Sequence, residues 1–356
     1  MKEVLISVDA SKKLITNIHD VPIPTPGPKQ VVIRNVVVGT NPKDWKYARS
    51  FAPKPQNTGD DVAGYIHAVG SDVTEFHVGD RVAAFHEMRT PHGAFAEYTL
   101  AYANTTFPVP PATPLESAAT IPLAAMTAAV GLYARLGLPE PWAKVHPARA
   151  LASQGGVVVY GGASAVGAFA IKLLVRADVH PIIAVAGRGM DYVRGLLVPA
   201  KGDVVLDYRA GDEAVVAGIR GAVPKGGKLM YAFDAVSEKG SVGNICKVLD
   251  DKEGSITTVL PGREHPEIPE GVKQTLTTVG SAHGVPDDLS DLAFVWFRAF
   301  ALGLREGWFE GHPYEVVPGG LGGVGQGLNN LREGKASAVK YVYRVEETEG
   351  LEKSRM

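Results

Sequence analysis

From residue 155 onward, short apolar segments alternate with segments that carry apolar residues at helical spacing. A short, uniformly apolar segment bounded by turn residues predicts a strand buried on both faces, and the segments between such strands predict amphipathic helices. The predicted strands are GGVVVYGG, PIIAVAG, DVVLDY, KLMYAFDAV and GSITTVL. Because strands and helices in alternation form βαβ units, this part of the chain predicts a parallel, doubly wound α/β sheet.

The first 110 residues are instead rich in short β-branched and aromatic segments. QVVIRNVVVGT, VAGYIHAVG, DRVAAF and AFAEYTLA are separated by Gly, Pro, Asp and Asn, as strands joined by turns are. This spacing predicts a barrel-like antiparallel unit. The chain has 356 residues, which is long enough for two domains with separate cores.

The charge balance and the single cysteine disfavour several classes of function. A formal net charge of −2, without a basic segment, disfavours nucleic acid and anionic membrane as partners. Cys246 alone forms neither an internal disulfide nor a cysteine-rich zinc site. The N-terminus lacks an apolar core of signal-peptide length, and we expect no run of about 18 apolar residues. We therefore expect a cytoplasmic protein without a membrane or nucleic-acid partner.

The segment VVVYGGASAVGAFAIKLL carries the strongest chemical signal. It predicts a buried strand, a turn of small residues and a helix, the arrangement in which a pyrophosphate binds the first N–H groups of the helix. Gly162 and Gly167 stand at the outer positions of a G-x-G-x-x-G pattern, and Ser164 replaces the middle glycine. The alternatives are a turn that only packs the helix and a G-x-S-x-G hydrolase elbow, in which Val166 replaces the last glycine.

The strand after this turn indicates which dinucleotide binds. NAD enzymes place an acidic residue near its end to bind the ribose 2′-hydroxyl. No Asp or Glu occurs from His180 to Met190, and Arg188 stands where the acid would be. Because a guanidinium pairs with a phosphate, the sequence predicts NADPH. The alternative is that Arg188 is a solvated loop residue.

Together these segments resemble the medium-chain dehydrogenase/reductase superfamily over nearly the whole chain. The resemblance rests on GDDVAGYIHAVGSDVTEFHVGDRV, IPLAAMTAAVGLYARL, YGGASAVG, VVLDYR and GKASAVKYVYRV. It implies a GroES-like β-barrel-type catalytic domain from residues 1–126 and 296–356, and a Rossmann domain with a doubly wound parallel sheet from residues 127–295. Within the superfamily, the chain looks like the zinc-independent branch, which holds quinone oxidoreductases and trans-acting enoyl reductases.

Zinc-dependent members of this superfamily carry a cysteine and a histidine at two positions that differ here. Thr40 and Asn41 stand in place of the cysteine, and Asp60 stands in place of the histidine. The segment FHEMRTPHG offers His86, Glu87 and His92, but not at a zinc-binding spacing. We predict no metal site, and we expect Asp60 and Asp61 to serve the fold or the cleft.

The resemblance also implies site residues by their positions. Lys46, Asn41 and Tyr47 are the predicted catalytic residues: Lys46 donates to the ribose or to an enolate, and Tyr47 is a second candidate proton donor. The alternative for Lys46 is a surface lysine. The predicted cofactor-binding residues are Asp44, Lys46, Thr127, Gly161, Gly162, Ser164, Ala165, Val166, Gly167, Arg188, Tyr208, Val339 and Lys340.

Hydride transfer to an activated double bond suits a protein without a Lewis acid, because the negative charge spreads onto a carbonyl oxygen. The predicted function is NADPH-dependent hydride transfer to an activated C=C bond, of the enoyl reductase type. The candidate substrates are an enone, an enoyl thioester or a quinone, and the candidate partner in trans is a polyketide or fatty-acid synthase. The alternatives are an NADPH quinone oxidoreductase and a protein that binds NADPH without turnover. A monomer and a homodimer both fit the resemblance.

Overall fold

The computed structural model describes residues 1–50 and 54–351. Of these residues, 1–50, 54–126 and 280–351 form one compact unit, and Thr127–Val279 form another. The chain thus returns to the first unit at Gly280, whereas the sequence placed this return at residue 296.

Helix α9 (Ser290–Glu306) explains the difference, because a boundary at residue 296 would cut this helix. The Phe297 ring packs edge-on against Phe107, with the ring centroids 5.7 Å apart. Arg298 donates hydrogen bonds to backbone carbonyl oxygens of the same segment, including that of Thr106 at 3.3 Å. These contacts place the whole helix in the first unit.

The first unit is built on a mostly antiparallel sheet with strand order β14-β15-β3-β4-β5-β7, in which β6 also pairs with β3. A separate antiparallel pair, β1-β2, lies outside this sheet. The strands are β1 (Lys2–Val8), β2 (Leu14–Asp20), β3 (Gln30–Gly39), β4 (Asp61–Val69), β5 (Arg81–Phe85), β6 (Tyr98–Tyr102), β7 (Thr106–Pro108), β14 (Tyr314–Val316) and β15 (Lys340–Arg344). β-Branched and aromatic residues fill these strands, as the sequence predicts.

Short helices connect and cover these strands. They are α1 (Pro42–Ser50), α2 (Leu115–Ala118), α9 and α10 (Val324–Arg332), with 3-10 turns at Ala103–Thr105, Gly320–Gly323 and Val345–Glu347. Ile33, Val62, Phe95 and Tyr343 are among the buried residues of the core that these elements share. The sequence did not predict α1, because NPKDWKY lacks an apolar stripe.

The second unit is a parallel sheet with strand order β10-β9-β8-β11-β12-β13. This order reverses direction next to the first strand, β8, as in the Rossmann fold, and it confirms the predicted fold class. The strands are β8 (Val157–Tyr160), β9 (Ile182–Ala186), β10 (Val204–Asp207), β11 (Tyr231–Asp234), β12 (Ser255–Thr258) and β13 (Lys273–Leu276). Val158, Ile183, Ala232 and Ile256 belong to its core.

Helices follow the strands of this sheet in turn. They are α4 (Pro147–Gly155), α5 (Ala165–Arg176), α6 (Met190–Leu196), α7 (Asp212–Ala222) and α8 (Ser241–Cys246), with 3-10 turns at Pro199–Lys201 and Tyr208–Ala210. Helix α3 (Pro122–Ala129) continues into a π-helical turn (Val130–Arg135), and a 3-10 turn (Val279–His283) leads back into the first unit.

Within the described residues, one helical stretch, Leu115–Arg135, is long and apolar enough to span a membrane. This stretch qualifies by its mean hydropathy, although polar residues such as Thr120 and Thr127 interrupt it. Of its most apolar window, 89% is buried inside the protein, which is what a core helix of a soluble protein shows.

Candidate active site

The predicted residues Asn41 and Asp44 lie at the start of helix α1 and bind each other. The Asn41 backbone N–H donates to Asp44 Oδ2 at 2.8 Å, and the Asp44 N–H donates to the Asn41 carbonyl at 3.0 Å. The Asp44 carboxylate is fully buried and accepts a backbone donor in the first turn of the helix, where negative charge is favoured. Asp44 thus holds the turn that carries Asn41.

The Asn41 side chain belongs to a buried network with Asp61 and Lys340. Its Nδ2 donates to Asp61 Oδ2 at 2.7 Å, and its Oδ1 accepts from Lys340 Nζ at 3.2 Å. Lys340 also forms an ion pair with Asp61 and donates to the Thr120 carbonyl at 3.2 Å. Because donor and acceptor are both engaged, the amide has one defined orientation.

Asp61 also anchors helix α3, which carries the predicted cofactor residue Thr127. Its Oδ1 accepts from the Leu123 N–H at 2.7 Å, in the first turn of that helix. Thr127 is buried in the same helix. Val339 directly precedes Lys340 and is half-buried. Asp61, which the sequence assigned only to the fold or the cleft, is therefore an anchor for these segments.

The predicted catalytic residues Lys46 and Tyr47 are half-buried on helix α1. Lys46 Nζ lies 5.7 Å from the centroid of the Trp45 ring, and the Arg89 guanidinium lies 5.2 Å from that of the Tyr47 ring. Cation–π contacts of this kind hold both side chains close to the protein surface. Their roles in proton donation stay predictions.

Lys43, which the sequence analysis did not single out, forms ion pairs with two buried carboxylates. Its Nζ contacts Asp60 Oδ2, lies 3.1 Å from Asp44 Oδ1 and donates to the Thr58 carbonyl. Burial raises the pKa of Asp44 to about 7 and that of Asp60 to about 6, while the Lys43 ammonium acts to lower both. The adjacent acids in GDD were a signal that a cation lies nearby.

The segment that was considered for metal binding has another role. His86 is buried, with Nδ1 2.6 Å from the Leu100 carbonyl and Nε2 3.2 Å from that of Thr90. Across residues 1–50 and 54–351, no three His, Cys, Asp or Glu side chains are grouped so that they could hold a metal ion.

His283 is a neutral histidine in an aromatic site. Its Nε2 lies 3.0 Å from Thr105 Oγ1, and that hydroxyl donates to the Phe85 carbonyl, so Nε2 carries the proton. The ring packs 4.8 Å from the Phe85 ring and 5.7 Å from the Tyr102 ring, centroid to centroid. Burial, and secondarily His86, lowers the pKa of His283 to about 3.

This low pKa predicts acid sensitivity that His283→Gln removes. Below pH 6.5 the unfolded chain binds a proton at His283 that the folded chain does not, so the free energy of unfolding falls as the pH falls toward 3. Between pH 6.5 and pH 5 we expect the variant to lose about 1–2 kcal/mol less than the parent in urea titrations. His77→Gln is the control, because that side chain is 82% exposed. Equal losses in parent and His283→Gln would contradict the assignment.

In the second unit, the predicted phosphate loop is a tight turn that leads into helix α5. Gly161 has φ +83°, and a Cβ placed on Gly167 would lie 2.3 Å from the Gly161 carbonyl oxygen. Ser164 is the N-cap, since its Oγ accepts from the Gly167 N–H at 3.1 Å. The cap places Ala165 and Val166 in the first turn, where N–H groups lack helical partners. This cradle fits a pyrophosphate, and the serine has the role of a cap rather than that of a hydrolase nucleophile.

Tyr208 packs on Gly187 at the ends of two neighbouring parallel strands, β10 and β9. A Cβ on Gly187 would lie 2.5 Å from the Tyr208 ring, so the aromatic ring fills the space that a side chain at this position needs. Arg188 is the next residue and is exposed. Tyr208 and Arg188 were predicted from the sequence. Gly187 was not, although its position directly after the strand PIIAVA was a signal.

The chain is similar to known reductases over most of its length. The family described as alcohol dehydrogenase GroES-like domain matches residues 27–111. Trans-enoyl reductase fsr4 of Gibberella fujikuroi is 43% identical over 320 residues, which cover 90% of this chain and 91% of that protein. The lovastatin nonaketide synthase enoyl reductase component lovC of Aspergillus terreus is 30% identical over 358 residues, covering 94% and 96% of the two chains.

The solved structures agree on the fold. The crystal structure of CurK enoyl reductase matches with a TM-score of 0.71 at 19% identity, and the match covers 95% of this chain and 98% of that one. At this identity the likeness shows the fold, whereas the relatives at 43% and 30% identity show the family. The chain therefore belongs to the medium-chain dehydrogenase/reductase family, in the zinc-independent branch that contains the trans-enoyl reductases.

Proposed function

We propose that this protein uses NADPH to reduce the activated C=C bond of an enoyl thioester, and that it acts in trans on the product of a polyketide synthase in the cytoplasm. The observation that carries the proposal is the 43% identity to a trans-enoyl reductase over 90% of the chain. A second relative is named as the enoyl reductase component of a synthase, which supports the partner.

NADPH rather than NADH is supported by the end of strand β9. An NAD enzyme needs a carboxylate there, but this chain has Gly187 covered by the Tyr208 ring, followed by Arg188. The exposed guanidinium and the neighbouring phenol offer a cation and a hydrogen-bond donor for a 2′-phosphate.

The chain's own residues have separate tasks in this reaction. The turn Gly161–Gly167 would hold the pyrophosphate, and the buried network fixes the Asn41 amide. NADPH, when bound, supplies the hydride that adds to the β-carbon of the substrate. Lys46 and Tyr47 are the candidates for donating a proton, and exclusion of water favours this step.

The test follows NADPH oxidation at 340 nm with a 2-enoyl thioester, a 2-enal, 1,4-benzoquinone and a simple ketone, each repeated with NADH. Turnover of the enoyl thioester with NADPH supports the proposal. Turnover of the quinone alone would instead support the quinone oxidoreductase that the sequence left open. NADPH binding without turnover of any compound would support the binding protein.

Arg188→Ala tests the cofactor preference. If Arg188 pairs with the 2′-phosphate, its loss should weaken NADPH binding by about tenfold or more, since a charge-assisted hydrogen bond contributes about 1.5–3 kcal/mol. NADH binding should change less than twofold, because it lacks this phosphate. Fluorescence titration measures the dissociation constants of NADPH and NADH.

The matched control is Arg194→Ala, an arginine of helix α6 whose side chain is 57% exposed and which pairs with Asp191. This variant should leave the dissociation constants of NADPH and NADH unchanged. An equal effect of Arg188→Ala on NADPH and NADH would remove Arg188 from the 2′-phosphate site.

A further inference from the structure

The ion pairs of Lys43 join two segments of the first unit. Lys43 and Asp44 are neighbours in helix α1, whereas Asp60 directly precedes strand β4. Asp44 and Asp60 are at most 1% exposed, but the Lys43 side chain is 29% exposed. Lys43 therefore lies over two buried carboxylates on their solvent side.

The carboxylates around Lys43 outnumber the ammonium groups. Asp44, Asp60 and Asp61 supply three carboxylates, and Lys43 and Lys340 supply two ammonium groups. Lys340 is paired with Asp61 and acts on Asp60 less than Lys43 does, so Lys43 is the main cation beside both Asp44 and Asp60. The other titratable groups that face this cluster are His86 and Tyr343. The backbone N–H of His86 donates to the Asp60 carbonyl at 2.8 Å; burial lowers the pKa of its imidazole and raises the pKa of the Tyr343 phenol.

We propose that Lys43 is a positioning residue: its ammonium keeps the Asp44 carboxylate available to bind the Asn41 backbone and so fixes the turn that presents Asn41, Lys46 and Tyr47. An ionised carboxylate accepts a hydrogen bond more strongly than a protonated one, so the Asp44–Asn41 bond weakens when Asp44 takes up a proton. The expected effect of Lys43 on catalysis rests on the proposed function. Its expected effect on the protonation of Asp44 and Asp60 does not.

The geometry shows why Lys43 controls the protonation of Asp44 and Asp60. Both carboxylates are buried and close to the same ammonium, so removing that charge leaves two like charges in a site of low dielectric. One of them must then retain a proton at a pH where the parent protein has released it. In the parent, the pKa values of about 7 for Asp44 and about 6 for Asp60 place this release near neutrality.

The first measurement is the folding equilibrium constant from pH 6 to pH 9 in the parent, Lys43→Met and Lys43→Arg. In Lys43→Met the folded chain should hold a proton that the unfolded chain has lost. Its stability should therefore fall as the pH rises above 7, and the folding equilibrium constant should drop by up to about tenfold per pH unit. In the parent and Lys43→Arg, stability should become nearly independent of pH above about pH 8, where both carboxylates have released their protons. A Lys43→Met deficit that is the same at every pH would overturn the inference.

Removing one carboxylate should reverse the effect of removing the ammonium. Lys43→Met combined with Asp60→Asn has one buried acid fewer, so its pH dependence above 7 should be smaller than that of Lys43→Met alone. If Lys43→Met does not fold, Asp60→Asn alone is informative: Asp44 loses a repelling neighbour, so the pH at which stability stops falling, set by Asp44, should move to lower pH. An unchanged end of this fall in Asp60→Asn would contradict the coupling.

The second measurement is the pH profile of kcat/KM with NADPH and an enoyl thioester. Lys43→Met should move the ascending limb to higher pH by at least about one unit, and the added Asp60→Asn should move it back. Lys29→Met, an exposed lysine of the same unit, is the control. If the stability results hold but the parent reduces no enoyl thioester, the proposed function fails and the role of Lys43 in the carboxylate pair stands.

Discussion

Replacing Lys340 with methionine is expected to destabilise the protein by about 3–5 kcal/mol, because the change leaves a buried carboxylate without its cation. Asp61 is fully buried, and Lys340 is 4% exposed. The same change removes hydrogen bonds to Asn41 Oδ1 and the Thr120 carbonyl. Urea titration at pH 7 measures the loss as a lower midpoint.

A paired variant separates the charge from the packing. In Lys340→Met with Asp61→Asn the buried charge is gone, so much of the lost stability should return. Lys335→Met is the control, since that side chain is 60% exposed and pairs with Glu333 at the surface. An exposed ion pair contributes less than about 1 kcal/mol to stability. A loss that small for Lys340→Met would show that Lys340 and Asp61 are not buried together in solution.

Lys340 also illustrates what resemblance predicts and what it leaves out. Its position in the closing segment predicted a cofactor residue, and the sequence could not show that its ammonium binds Asp61, Asn41 and Thr120. Lys340 and Asp61 are far apart in the chain and meet because their strands, β15 and β4, both pair with β3, which Asn41 follows. Its effect on the cofactor stays a prediction.

The α/β half of the fold was predictable because its strands are apolar throughout, as strands covered on both faces must be. β13 was missed, since KQTL contains a single apolar residue and lies at the edge of the sheet, largely exposed. Helix α1 was missed for a related reason: its core-facing residues, Trp45 and Ala48, are too few to make an apolar pattern, and the Asp44–Asn41 bond and the Lys43 ion pairs hold its first turn.

The residues of the candidate site also divide into those that local sequence predicts and those that depend on the tertiary fold. The phosphate turn was predictable from local spacing, because a strand, a glycine turn and a helix are consecutive in the sequence. Gly187 was not, since its importance comes from Tyr208 on the neighbouring strand. The adjacent acids in GDD indicate a nearby cation, but that this cation is Lys43 depends on the tertiary fold and not on sequence spacing.

Gly167→Ala is expected to weaken NADPH binding by about 100-fold or more, which is about 2.7 kcal/mol. The added Cβ would lie 2.3 Å from the Gly161 carbonyl oxygen and 3.0 Å from the Gly162 Cα, and both contacts are with backbone. Because backbone atoms cannot move aside as a flexible side chain can, the helix must shift from the turn, and the first N–H groups of α5 lose their alignment. Fluorescence titration with NADPH measures the loss.

Gly195→Ala is the matched control for this change. Gly195 lies in helix α6 of the same unit, and a Cβ there meets nothing within 4 Å. That variant should bind NADPH normally and gain about 0.4–1 kcal/mol of stability, because alanine restricts the unfolded chain more than glycine does. If Gly167→Ala also bound NADPH as the parent does, the turn would tolerate a wider approach of helix and strand, and the pyrophosphate would have to bind elsewhere. If it lost binding while Gly195→Ala kept it, the close approach of Gly161 and Gly167 would be the feature on which cofactor binding depends.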